Sequence, residues 1–251
     1  MTLVHRRLSF FVPAAVLLTG VLAWGLAGMP SFGLPHSDYA RYITAHAAGH
    51  RHVSNIVSSV VFDYRGWDTA GEELMMFAAV MGTALLLRDD RDDRDEEQRR
   101  PTDATTSDAV RTVRAGAVAL TLLVGLWTVA FGYLTPGGGF QGGVVAASAA
   151  LLTWVGGSYR RLRAVTPTTM VDATEGLAAV GFLAVGLLGL VAAGSYLQNV
   201  LPLGTPGTLT STGTIAVLNA ATGLEIAAAF VLIFREFLEE HVETLPAREE
   251  P

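Results

Sequence analysis

The sequence predicts an all-α integral membrane protein of about six transmembrane helices, with one short interfacial amphipathic helix and both termini in the cytoplasm. Three observations predict this. First, charge is scarce: 16% of the 251 residues are charged, against about 25% in an ordinary soluble domain. Second, the charge is clustered. Residues 88–114 hold 16 of the 40 charged residues and residues 235–251 hold eight more. Between the clusters lie apolar runs near 20 residues, the length a helix rising about 1.5 Å per residue needs to cross a hydrocarbon layer of roughly 30 Å. Third, six spans with the N-terminus inside place 14 of the 17 arginines in the cytoplasm, and Arg41, Arg51 and Arg65 outside. This is the asymmetry the positive-inside rule expects. Removing any one span moves later basic clusters to the wrong side.

Leu8 to Met29 is the first span. It carries no charge, exceeds the usual apolar core of a signal peptide, and is followed by no A-x-A cleavage site. Pro30 to His52, with Pro30, Gly33 and Pro35, is expected as an outer loop. In Val53 to Phe62, apolar residues recur at helical spacing opposite Ser54 and Ser58. This predicts a short amphipathic helix at the outer interface, turning at Asp63–Gly66 into the second span. That span, Leu74 to Leu87, has 14 uncharged residues, about 21 Å as a helix. It must recruit Thr69 to Glu73 to cross, which brings Glu72 and Glu73 to the boundary.

The run RDDRDDRDEEQRRPTDATTSD reads as a solvated cytoplasmic linker over 88–109. It separates a two-span element, 1–87, from a four-span domain, 110–240, and a tail follows at 241–251. The four later spans are Ala115–Leu134, Phe140–Tyr159, Gly176–Leu197 and Ile215–Phe234.

Composition removes several function classes. All 17 basic residues are Arg and there is no Cys, so lysine Schiff bases, phosphate-loop lysines, thiol catalysis and Cys-based zinc sites are excluded. The loop Pro136, Gly137, Gly138, Gly139, Phe140, Gln141, Gly142, Gly143 superficially suggests a phosphate cradle, but it lacks G-K-[ST] and is flanked by spans. Gly139, Gly143 and Ala147 recur every four residues, a spacing that lets helices touch closely. The loop therefore reads as a sharp turn feeding a tightly packed helix, with Gln141 as a polar group at its entrance. His46 and His50 have i, i+4 spacing without the Glu of H-E-x-x-H. With His52 they read as solvated loop residues, and no metal site or cofactor is expected.

Intramembrane acids remain as candidates for chemistry. A carboxylate at a helix centre costs at least about 2.5–3.5 kcal/mol. It is kept where it pairs, lines water or carries protons. Glu225 lies near the middle of the last span. Asp68 and Glu72 share a face at i, i+4 spacing, with Glu73 about 100° away. Asp68 also suits the first turn of a helix, where the dipole favours acids. Asp172 and Glu175 read as dipole-pairing residues before a helix start.

Two stretches carry a family resemblance. NIVSSVVFDYRGWDTAGE (Asn55 to Glu72) resembles a segment near the C-terminal end of the large A subunit of Mrp/Mnh multisubunit Na+/H+ antiporters. The same element occurs as a small subunit of membrane-bound hydrogenases. TPGGGFQGGVVAASAALL (Thr135 to Leu152), together with LPLGTPG and GTIAVLNAATGLEIAAAFVLIFREF downstream, resembles the B subunit, the MnhB family. The resemblance covers about Val53 to Leu87 and Val110 to Glu240. It implies an A-subunit tail fused to a B subunit, working with other antiporter subunits in a multi-pass complex of the plasma membrane. The implied exchange is Na+ against H+, with no nucleic acid involved. Glu72 matches the family's important acid in the tail, and Glu225 matches an acid seen in many B subunits. Glu73 departs from the family pattern. The long antiporter-like modules of the large subunits are missing, so the chain is not expected to transport alone. A membrane-arm subunit of a hydrogenase or related respiratory complex, and a purely structural scaffold, are the alternative expectations.

Overall fold

The structure is a computed structural model that describes residues 3–29, 37–87, 107–155 and 159–244. Among the described residues it is helical, with no strand. The chain divides into two compact units, 1–42 and 43–251. In the first unit, α1 (Leu3–Ala27) carries exposed Phe11, Leu17 and Trp24 along its length.

In the second unit the order is the end of α2 (Asp38–Arg51), α3 (Ile56–Ser59) continuing into a π-helical turn (Val60–Tyr64), α4 (Gly66–Leu87), α5 (Asp108–Ala130), α6 (Gly139–Trp154), α7 (Tyr159–Val165), α8 (Thr168–Ala193) and α9 (Thr214–Thr244). Among the described residues, four helices are both long and apolar enough to cross a membrane: α4, α5, α8 and Thr214–Leu238 of α9. The apolar part of α1 (Phe11–Ala27) and the 16-residue α6 are shorter. The large apolar side chains left exposed on α5 and α8, such as Leu123, Trp127, Leu177 and Val191, belong on a surface facing lipid or protein rather than water. The chain is a multi-pass membrane protein.

α9 is the central helix. It packs against α4, α5, α6 and α8, and 56% of its apolar window is buried inside the chain, against 22% for α4 and 6% for α5. One apolar cluster joins Phe62, Ala70, Tyr133, Phe182, Leu197, Ile215 and Leu218. A second joins Val80, Ala84, Ala147, Val171, Ala228, Ala229 and Leu232. At the far end, Arg235 of α9 donates to the Thr166 carbonyl at 2.7 Å and to Thr168 Oγ1 at 2.6 Å, tying α9 to the start of α8.

Several boundaries differ from the sequence expectation. Residues 38–51 form a helix instead of a loop. Ser37 Oγ accepts from Ala40 N, Asp38 opens the first turn, and His50 and Arg51 close the last, so capping and dipole terms favour helix at both ends. α5 begins seven residues before Ala115, capped by Ser107 and carrying Asp108 and Arg111 in its first turn. α8 begins at Thr168, eight residues before Gly176. An uncharged window misses such starts, because a helix N-terminus tolerates charge that the middle of a span does not. The amphipathic segment also turns the other way. Ser58 and Ser59 are buried and Val57 is exposed, because Ser58 Oγ donates to the Gly132 carbonyl at 2.8 Å, at the start of the glycine turn. The linker expected at 88–109 lies outside the described residues up to 106, as does the tail beyond 244.

Candidate proton and cation site

The buried face of α4 carries Gly66, Thr69, Ala70 and Glu73, residues recurring at three- and four-residue spacing. Glu73 therefore turns inward and is 5% exposed. Glu72, one residue earlier, is rotated about 100° and lies exposed on the outer face of the helix. Glu73 lies beside Thr222 and Glu225 of α9, within reach of side-chain hydrogen bonds. Glu225 is 0% exposed. Glu175 of α8 is 2% exposed, and its charge reaches Glu225. The charge of Asp172, one turn earlier, reaches Glu175 in turn. Three helices thus bring three interior carboxyls into electrostatic contact. Glu175 is the eighth residue of α8, too deep in the helix and too buried for the dipole-pairing role its sequence position suggested.

These acids are short of partners. Both Glu225 oxygens, Glu73 Oε2, Glu175 Oε1 and Thr222 Oγ1 are buried with no hydrogen-bond partner in good geometry. A bare carboxylate in such a place costs several kcal/mol after relaxation, and two side by side repel. The pair becomes stable when a proton bridges the two carboxyls, or when a cation neutralises them. Among the described residues, no group of three or more His, Asp or Glu side chains could hold a metal ion.

The glycine turn fixes where this pair sits. Gly137 and Gly138, at φ 146° and 156°, adopt a backbone that side-chain-bearing residues rarely reach. The turn is then clamped from both sides. Asn55 Nδ2 donates to the carbonyls of Gly132 (2.6 Å) and Thr135 (3.1 Å). Asn219, one turn before Thr222, accepts from Gly139 N at 2.7 Å and donates to the Val129 carbonyl at 2.6 Å. Tyr133 OH donates to the Leu209 carbonyl at 2.6 Å, and burial pushes its phenol up, so it stays a donor. A methyl group on Gly143 would meet the Gly223 carbonyl at 2.8 Å, and one on Gly223 would meet Val129 Cγ1 at 2.7 Å. α6 therefore touches α5 and α9 backbone to backbone, and this contact sets the rotation of α9 that points Glu225 inward. Gly142 packs against Val129 of α5, while Pro136 and Gln141 are exposed.

The remaining sequence candidates lie elsewhere. Asp68 is exposed in the first turn of α4 and pairs with Arg65. His46 and His50 have ring centroids 5.3 Å apart, and His52 Nδ1 lies 2.7 Å from the Gly204 carbonyl. The sequence reading assigns Glu175 to dipole pairing and gives Glu73 no role in the path. The signal available for Glu73 was the small-residue face of Gly66, Thr69 and Ala70, which marks the side of α4 that meets a neighbour.

Residues 109–232 match the family model described as a domain related to the MnhB subunit of Na+/H+ antiporter. This part of the chain is an MnhB-related domain. Across nearly its whole length, the chain is 28% identical over 260 residues to an uncharacterized protein of Methanocaldococcus jannaschii, covering 94% of this chain and 93% of that one. It also resembles a chain of the membrane-bound sulfane sulfur reductase, described as an archaeal respiratory membrane complex. That match has a TM-score of 0.70 and 29% identity, covering 94% of this chain and 99% of that chain. A chain of the Mrp complex from Dietzia sp. DQ12-45-1b has the same fold, with a TM-score of 0.65 at 22% identity, but this chain spans 26% of its length. In both solved structures the similar chain is part of a membrane complex. The MnhB-related region holds α5, the glycine turn, α6, α8 and most of α9, and so includes Glu175 and Glu225. Glu73 comes from outside it.

Proposed function

We propose that this chain is a non-autonomous membrane subunit of a complex that exchanges a monovalent cation, Na+, for protons, and that Glu73 and Glu225 form its internal exchange site. The observation that carries this reading is a pair of buried carboxyls on different helices with no protein donor in good geometry on Glu225. If the pair keeps one proton, it bears one negative charge and becomes neutral by taking either a second proton or one monovalent cation. The same pair can then serve both halves of an exchange. With α4 entered from the outer side, a proton arriving on Glu73 passes to the neighbouring Glu225 when the two carboxyls close on it, and then toward Glu175 and Asp172 near the cytoplasmic start of α8. The A-subunit-like element and the MnhB domain act together here, because each supplies one acid of the pair. In this reading the chain makes no catalytic conversion of its own.

A second reading is favoured by the 99% coverage of the respiratory-complex chain: the same acids would serve a redox-driven membrane arm. Purification through a tag on this chain separates the two readings, since only the second brings iron–sulfur subunits with it. Glu73→Gln tests the pair under either reading. Gln keeps the shape and can donate a hydrogen bond to Glu225, but it cannot release a proton. The expected outcome is a complex of normal subunit composition whose Na+/H+ exchange in vesicles falls at least about tenfold, equivalent to 1.4 kcal/mol of barrier. Full exchange by this variant would remove Glu73 from the path.

A further inference from the structure

Glu72 poses a problem that the internal pair does not solve. It sits on the outer face of α4, and no side chain among the described residues pairs with it; the nearest acid on that face, Asp68, already holds Arg65. Trp67 stacks on Tyr196 at 4.4 Å, an aromatic pair of the kind found at the membrane–water boundary. Glu72 lies five residues further in, about 7.5 Å along the helix, beyond the reach of a short carboxylate snorkelling to water. Its neighbours on this face are apolar or small: Met75 is 66% exposed, and Ala79 is exposed. Gly71 and Gly82 have open space where a side chain would stand. Lipid cannot compensate a carboxylate at this depth, whereas small residues flanking it allow another helix to approach closely.

We propose that this face of α4 docks a transmembrane helix of a partner subunit that presents a basic side chain, Lys, Arg or His, to Glu72. Charge complementarity selects the occupant. The acid needs a cation at its own depth, and a second copy of this chain would bring another α4 acid or an uncharged face. Tandem acids then divide their roles: Glu73 faces the internal pair and Glu72 faces the neighbour. The docking stands whether or not Glu73 and Glu225 carry protons.

The test uses the intact complex, purified through a tag on this chain. A photo-crosslinking phenylalanine analogue replaces Met75 with Glu72 left in place, and adducts are mapped by mass spectrometry. The expected adduct lies on a membrane helix of another subunit, within about two turns of a basic residue. Glu72→Lys is expected to reduce recovery of that same subunit at least about tenfold, because a matched pair becomes a buried repulsion. The proposal is overturned by an adduct confined to lipid, to a second copy of this chain, or to a segment without a basic side chain. It is equally overturned if Glu72→Lys retains the full subunit complement. Should Glu72→Lys fail to accumulate, the Met75 adduct decides alone.

Discussion

Glu225→Gln is expected to abolish Na+/H+ exchange by the assembled complex while leaving its subunit composition unchanged. Glu225 is fully buried near the middle of the central helix, beside Glu73 and within the field of Glu175. In the proposed path it is the acid that links the other two. Gln is nearly isosteric and neutral, so it removes the repulsion between the acids and the burial cost of a charge. Folding should be unaffected or slightly improved. Transport should be lost, because an amide offers no exchangeable proton at this position. The loss should reach at least about two orders of magnitude, near 2.7 kcal/mol, and exceed that of Glu73→Gln. Combining the two substitutions should add little further loss, since residues acting as one unit are strongly non-additive. Exchange by inverted vesicles, with subunit recovery measured in parallel, checks both halves. A variant that assembles and exchanges normally would assign Glu225 to packing.

Gly139→Ala has the opposite signature: assembly and stability fail, and activity is lost only as a consequence. The added methyl group would run into the Asn219 carbonyl oxygen and lie 2.9 Å from Gly223 N, both backbone atoms of α9. Backbone in a packed helix cannot swing aside as a side chain can. The helices must separate, which also strains the Asn219 bond to Gly139 N. Overpacking of this kind costs about 1–3 kcal/mol, and a lost buried hydrogen bond adds about 1–3 kcal/mol. The expected result is a strongly lowered melting temperature of the detergent-solubilised complex, or little recoverable complex. A control is Gly116→Ala on α5, where no atom lies within 4 Å of the added carbon; it should be neutral. A Gly139→Ala complex as stable as the wild type would contradict the close α6–α9 contact.

Much of this architecture is legible in the sequence for a simple reason. Spans announce themselves by what they exclude, and a single acid in the middle of one, such as Glu225, stands out in the otherwise uncharged run from Ile215 to Phe234. The glycine turn is legible because Gly139, Gly143 and Ala147 repeat at helical spacing. Other features depend on rotation or on distant partners. Glu72 and Glu73 are adjacent in sequence, and only the docking of α4 on α9 decides which faces inward. The i, i+4 spacing of Asp68 and Glu72 drew attention to the outer face. Ser58 looks like a solvent-side residue until the carbonyl of Gly132, 74 residues away, is placed beside it. Glu175 reads as a helix-start acid because an uncharged window begins after it, whereas the helix itself begins at Thr168.

Dicyclohexylcarbodiimide labelling of the active complex tests most directly whether the buried acids exchange protons. The reagent enters from the hydrocarbon phase and adds covalently only to a carboxyl that carries a proton. The expected result is a modified peptide containing Glu225 or Glu73, formed in parallel with loss of exchange, suppressed by Na+, and absent from the Glu73→Gln/Glu225→Gln double variant. Inactivation that leaves both residues unmodified, or unmodified acids throughout the pH range in which the complex exchanges ions, would contradict it.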